Sequence, residues 1–203
     1  MMLGYFMPEQ RALLAEARVG IAGAGGLGSN CAMILARCGV GGLVLVDGDV
    51  VEPSNLNRQH YFPRHVGLPK VEALAAQLAE LRPTPCLEAH RLWLDEANIG
   101  PLLDKADFWL ECLDKAQLKA TFTSLALRAG KTVIGASGMG GFGGYAMKRR
   151  VLHSSGGLLA VVGDFCSDVA QAPPLAPRVM QCAAMQADAA LEFILTKNIQ
   201  PLL

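Results

Sequence analysis

The feature that most constrains the fold of this chain is a glycine turn set between an apolar run and a helical one. Arg18 to Ala22 reads as a buried strand, Gly23-Ala-Gly-Gly-Leu-Gly28 as a tight turn, and Ser29 to Arg37 as a helix ending at Gly39, where a left-handed cap fits. A second apolar run, Leu43 to Val46, ends in Asp47, 24 residues after Gly23. Strand, glycine turn, helix and an acid closing the next strand form the unit that receives a nucleotide in open α/β sheets. The glycines Gly23, Gly25, Gly26 and Gly28 let the backbone approach a phosphate, the helix N-terminus stabilises its charge, and the acid accepts ribose hydroxyls. Dehydrogenases share the pattern, so it predicts a nucleotide and leaves its kind open.

The rest of the chain continues in the same order. Val71, Leu74, Ala75, Leu78 and Leu81 recur at helical spacing after Lys70, with Pro83 as the stop. Strands are expected at Cys86 to His90, Asp107 to Cys112 and Thr132 to Gly135, with a helix over Ala116 to Arg128. Alternating strands and helices predict an α/β fold, a Rossmann-like and mostly parallel sheet with helices on both faces. Ser137 to Tyr145 is too glycine-rich for a helix. Beyond it a hairpin with arms Lys148 to Arg150 and Leu158 to Val162, a proline-rich loop from Ala172 to Pro177, and a last helix ending near Leu195 would form a C-terminal extension.

With 203 residues, 52% apolar and 18% charged, a single domain over residues 1–203 is expected, without a disordered tail. Equal numbers of acidic and basic residues give no reason to expect nucleic acid or an anionic membrane as partner. No apolar run reaches membrane-spanning length, and the first residues lack a secretory signal, so a cytoplasmic protein is expected. The six cysteines, at 31, 38, 86, 112, 166 and 182, include no Cys-x-x-Cys pair. No zinc is expected, and most of the thiols should be buried.

No Gly-x-x-x-x-Gly-Lys-Ser/Thr stretch occurs, so cations for a nucleotide must come from elsewhere. Ser54 to Gln59 supplies polar donors just past the second strand. Arg58 can grip phosphate bidentately, and Lys70 can add a point charge. A nicotinamide site needs no such second set. Asp114, just after the fourth strand, suits a magnesium ion as a hard oxygen ligand; the alternative is the N-cap of the helix that follows.

Four segments, GAGGLGSN at 23–30, VDGDVVEPSNLNRQ at 46–59, GLPK at 67–70 and ECLDK at 111–115, together resemble the ThiF/MoeB/HesA adenylyltransferases, relatives of the ubiquitin-activating enzymes. The late segments around Leu175 to Val179 and Gln186 to Asp188 resemble the short branch labelled ThiF family 2. The resemblance implies an ATP-dependent, magnesium-assisted adenylylation of the C-terminal glycine carboxylate of a small ubiquitin-like sulfur carrier ending in Gly-Gly. It further implies a homodimer, and the short branch points to a ThiS-like carrier in thiamine biosynthesis. By the same resemblance Asp47 and Asp49 belong to the nucleotide site, with Asp47 on the ribose. Asn55, Arg58, Gln59 and Lys70 take the phosphates, Asp114 holds magnesium, and Arg58, Lys70 and Asp114 carry the catalysis.

The chain departs from longer relatives in three ways: it lacks paired zinc cysteines, has no arginine well ahead of the glycine turn apart from the ill-placed Arg11, and carries Lys115 where asparagine often stands. Some relatives proceed to a thioester or persulfide. Cys166 is the candidate thiol for that step, and its acidic neighbours Asp164 and Asp168 argue against an activated thiolate. Other readings are a MoaD-like carrier, an ATP-dependent tRNA-modifying dehydratase, an NAD-dependent dehydrogenase, and a non-catalytic adaptor for a ubiquitin-like protein.

Overall fold

In the computed structural model, residues 5–81, 85–153, 157–168 and 171–202 are described. The order of elements is α1 (Pro8–Glu16), β1 (Arg18–Ala22), α2 (Gly26–Arg37), β2 (Gly42–Val46), α3 (Lys70–Ala79), β3 (Cys86–His90), α4 (Glu96–Leu103), β4 (Phe108–Glu111), α5 (Ala116–Arg128), β5 (Val133–Ala136), β6 (Lys148–His153), β7 (Leu158–Gly163) and α6 (Ala176–Thr196). Two short 3-10 turns, Pro53–Asn55 and Pro63–His65, lie between β2 and α3.

One seven-stranded sheet runs in the order β3-β2-β1-β4-β5-β7-β6. All neighbours are parallel except β6, which runs antiparallel to β7. The architecture is thus the expected α/β, Rossmann-like sheet with a hairpin and helix at the C-terminal end. Strands β2 and β4 are buried along their whole length, which is why they read as unbroken apolar runs and not as alternating ones. Helices α1, α2, α3 and α6 cover one face through Leu14, Leu35, Leu74 and Ala187, while α4 and α5 cover the other through Ile99, Phe122 and Ala126 against Trp109.

The strand order places the functional edge. From β1 the chain steps outward to β2 and β3, then returns to lay β4 on the other side of β1. The turns leaving β1 and β4 therefore diverge and leave a crevice at the carboxyl ends of the strands.

Several boundaries differ from expectation for local reasons. Helix α2 begins at Gly26, three residues before Ser29, because the glycines that make the turn also form the first helical turn. Helix α6 starts at Ala176 and takes Pro177 into its first turn, where a missing N–H costs nothing. Helix α3 ends at Ala79, and Pro83 lies outside the described residues. Helix α4 was not expected from the sequence: Gly100 and Pro101 interrupt its pattern, and it is held by Asp95, whose carboxylate accepts the N–H groups of Ala97 and Asn98 at 3.0 Å each. Cys31, Cys112 and Cys182 are buried, but Cys38 is half-buried and Cys86 and Cys166 are exposed. The expectation of mostly buried thiols fails at Cys86 because β3 is the sheet's edge strand. Among the described residues no helix is long and apolar enough to cross a membrane.

Candidate active site

The crevice between the turns after β1 and β4 opens into a cavity of about 850 Å³, within the range of small-molecule sites. On one wall stands the glycine turn. Gly23 has φ +95°, and a Cβ on Gly28 would come 1.8 Å from the Gly23 carbonyl oxygen, so these two glycines shape the turn while Gly25 and Gly26 face the cavity. The first turn of α2 begins at this wall, and the first N–H groups of a helix have no intrahelical acceptors.

Asp47 ties this wall to the next. Its carboxylate accepts the Ala24 N–H at 2.7 Å and the Asp49 N–H at 2.8 Å, one on each oxygen. Asp47 lines the cavity, and each of its oxygens has capacity for a further hydrogen bond, enough for ribose hydroxyls. Tyr61, buried beneath, sets its hydroxyl 2.8 Å from the Ala24 carbonyl and 3.2 Å from that of Lys70, linking the turn to the start of α3. Burial, with the Asp47 charge added, pushes the Tyr61 phenol well above its ordinary pKa, so it stays a neutral donor.

The polar segment at 54–59 is folded down onto the start of α2. Asn30 donates to the Arg58 carbonyl at 3.0 Å, and the Ser29 hydroxyl accepts the His60 N–H at 3.0 Å. Arg58 and Gln59 thereby reach the cavity. The Arg58 guanidinium donates to the Asn57 side chain at 2.9 Å and the Ser54 carbonyl at 3.3 Å, which leaves N–H groups for a ligand. Gln59 is buried, and its Oε1 has no partner. A buried amide with an unused end, whichever way it is turned, has a hydrogen bond to offer a water or a ligand. Asn55 is different: its Oδ1 accepts the Glu52 N–H at 3.0 Å, and it does not line the cavity. Its side chain reaches back to close the 3-10 turn Pro53–Asn55, behind Arg58.

Lys70 and Asp49 both line the cavity, and they pair with each other at 2.7 Å, the lysine side chain buried and the carboxylate half-exposed. A phosphate arriving here must compete with Asp49 for the ammonium.

Asp114 stands on the opposite wall, exposed, on the turn after β4. The N-cap position of α5 is Lys115, and no side chain caps that helix. Asp114 makes no hydrogen bond or ion pair among the described residues, so both of its oxygens are free. A magnesium ion fits this donor set, since Mg²⁺ is ordinarily held by one or two carboxylates plus substrate phosphates and waters. Among the described residues no group of three His, Cys, Asp or Glu is gathered as an all-protein metal cage.

Two parts of the site had no role assigned from the sequence, Glu111 among them although it opens the ECLDK segment. Trp93, in the loop after β3, is 64% exposed yet lines the cavity, and its indole lies on Gly48, where a Cβ would come 2.5 Å from the ring. Behind Asp114, Glu111 is buried and paired with Lys119 at 2.7 Å. Burial raises the Glu111 pKa, against the opposing charge and hydrogen bond of Lys119. Arg178, in the segment compared with the short branch, pairs with Asp164 and donates to the carbonyls of Gly143 and Tyr145 at 3.1 and 2.9 Å. It anchors the glycine-rich stretch whose first residues, Ser137 to Met139, form the far wall of the cavity. Cys166 is exposed beside that wall but does not line the cavity.

The ThiF family profile matches residues 1–202. The chain belongs to the ThiF family. It is 39% identical over 127 residues to the adenylyltransferase and sulfurtransferase uba4 of Emericella nidulans, a match covering 62% of this chain and 26% of the relative. The corresponding protein of Eremothecium gossypii is 39% identical over 131 residues, covering 63% of this chain and 29% of the relative. The match thus spans a little over a quarter of these relatives' length. Among solved structures, the E. coli tRNA N6-threonylcarbamoyladenosine dehydratase TcdA in complex with ATP superimposes with a TM-score of 0.85 at 20% identity, covering 95% of this chain and 91% of that one. E. coli MccB gives 0.73 at 22% identity, covering 95% and 64%. These likenesses establish a ThiF-type fold.

Proposed function

We propose that this chain, acting as one nucleotide-binding domain, adenylylates the C-terminal glycine carboxylate of a small ubiquitin-like sulfur carrier, a ThiS-like protein serving thiamine biosynthesis. The observation that carries the reading is the juxtaposition, around one cavity, of the glycine turn, Arg58, Lys70 and Asp114, which is unpaired among the described residues. A dehydrogenase has no use for the last three, and an adaptor has no need to keep them. The uba4 relatives, named as adenylyltransferases, support the chemistry; the ATP complex of TcdA supports a nucleotide in a fold of this kind.

In the reaction a carboxylate oxygen forms a bond to the α-phosphorus and the bond to the β-phosphate oxygen breaks, giving an acyl adenylate and pyrophosphate. Asp47 holds the ribose and Trp93 covers the base. Negative charge growing on the α-phosphate oxygens meets the N–H groups at the start of α2 and the Arg58 guanidinium, already oriented by Ser54 and Asn57. Lys70, released from Asp49, takes charge on the leaving pyrophosphate. Asp114 would hold Mg²⁺, which when bound neutralises phosphate charge. We further propose a homodimer in the cytoplasm; a strictly monomeric, fully active species in light scattering would refute the dimer.

The test is exchange of labelled pyrophosphate into ATP, which should require a carrier ending in Gly-Gly. A second reading, an ATP-dependent tRNA-modifying dehydratase, draws on the full-length likeness to TcdA. Exchange supported by tRNA and not by any carrier would favour it.

A further inference from the structure

Asp114 presents a carboxylate to the cavity with nothing holding it there. It neither caps α5 nor pairs with a cation among the described residues. The residue before it, by contrast, has both of its backbone polar groups gripped by one ion pair. The Leu113 N–H donates to Glu111 Oε1 at 2.7 Å, and the Leu113 carbonyl accepts from Lys119 Nζ at 3.2 Å. The same Lys119 donates to Glu111 Oε2 at 2.7 Å, closing the ring. The base of the clamp is itself fixed, because Gln186 of α6, fully buried, donates to the Glu111 carbonyl at 3.2 Å and to the Ile134 carbonyl at 3.0 Å.

A charge pair with one partner 3% exposed and the other 25% exposed is a poor source of stability, because desolvation consumes the Coulombic gain. What the pair does accomplish is geometric: it fixes the peptide groups on both sides of Leu113 and so the direction in which the next side chain leaves the backbone. We propose that Glu111 and Lys119 are positioning residues that aim Asp114 at the metal–nucleotide complex. This inference rests on the reading of Asp114 as the magnesium ligand. Lys119 also lines the cavity, so the alternative is that its ammonium touches the nucleotide directly.

The two roles separate in a binding experiment that needs no turnover. The full chain is loaded with an ATP analogue whose α–β bridge is methylene, and Mn²⁺ bound in the ternary complex is measured by the loss of the free-ion electron paramagnetic signal. Nucleotide affinity is measured separately in a metal chelator. Glu111→Gln keeps an acceptor for Leu113 but loses Lys119, and should weaken Mn²⁺ binding about 10- to 100-fold, the usual cost of removing a partner that orients a metal ligand. Metal-free nucleotide affinity should stay within about twofold, the ordinary scatter of a context effect. Lys119→Met, at the more exposed end of the pair, should give the same result and serves if Glu111→Gln folds poorly. The double variant Glu111→Asp with Lys119→Arg, which rebuilds the pair with a shorter acid and a longer base, should recover most of the metal affinity.

Unchanged Mn²⁺ affinity in a folded variant would overturn the inference. So would a metal-free nucleotide affinity that falls as far as the metal affinity in Lys119→Met, which would make the lysine a nucleotide contact. If the unaltered chain binds no nucleotide at all, it is the proposed function that fails, and this inference with it.

Discussion

Replacing Arg178 with methionine keeps the first few atoms of an unbranched, flexible side chain and removes the guanidinium with its charge. Arg178 is buried, its Nη2 paired with Asp164, whose side chain is 1% exposed, and its Nη1 shared between the carbonyls of Gly143 and Tyr145. The Asp164 carboxylate also accepts the N–H groups of Cys166 and Ser167 at 2.8 and 2.7 Å, both on Oδ1. Methionine therefore strands a buried carboxylate whose Oδ2 has lost its counter-charge. Breaking a buried pair from one side costs about 3–5 kcal/mol. For a chain of this size that lowers the thermal midpoint by roughly 6–20 °C.

The pH dependence gives the sharper check. Burial pushes the Asp164 carboxyl up, but the Ser167 and Cys166 N–H groups and the Arg178 charge outweigh it and hold the group below the ordinary carboxylate range. A depressed folded pKa contributes stability that is present above the unfolded value, about 4, and is lost as pH falls through the folded value. Without Arg178 the carboxyl titrates higher, so the variant loses less on acidification and the gap to the parent narrows between pH 7 and about pH 3. Adding Asp164→Asn, which keeps the Oδ1 acceptor and removes the stranded charge, should recover a large part of the loss at pH 7. Urea unfolding at both pH values measures all of this. A loss under about 1 kcal/mol at pH 7, the scale of an exposed pair, would show that Arg178 and Asp164 do not act as a buried pair, as would a gap indifferent to pH.

Other perturbations address the cavity directly. Asp114→Asn should reduce ATP–pyrophosphate exchange on the order of a hundredfold or more, with little change in thermal midpoint because Asp114 makes no cap bond; near-normal exchange would remove it from the site. Of the two tryptophans, Trp109 is fully buried, so nucleotide-induced quenching of the intrinsic fluorescence should come from Trp93 and disappear in Trp93→Ala; persistent quenching there would exclude Trp93 as the cover of the base. Cys166→Ala should leave exchange intact, since the adenylation step uses no thiol; its loss in a folded variant would move Cys166 into that step.

The sheet was legible because parallel strands buried on both faces leave short apolar runs, and the helices between them carry their own period. Ala116–Arg128 and Cys86–His90 could be bounded from sequence to the residue. Helix α4 was not legible, because Gly100 and Pro101 break its pattern and only Asp95 marks its start. Motif residues were legible as a set but not in their individual partnerships. Asn55 turns to a backbone N–H, and Lys70 closes on Asp49 across 21 residues. Glu111 and Lys119 carry no periodic signature, since they meet only because the chain turns from a strand into a helix between them.

In the proposed reaction a carboxylate at the end of a small protein becomes joined to AMP. Intact-mass measurement of a ubiquitin-like carrier after brief incubation with this chain, ATP and Mg²⁺ tests it most directly. The carrier should become heavier by one AMP, the added mass lying on the terminal glycine and absent when that glycine is removed. Consumption of ATP with the carrier mass unchanged, together with AMP found on another acceptor such as tRNA, would contradict it.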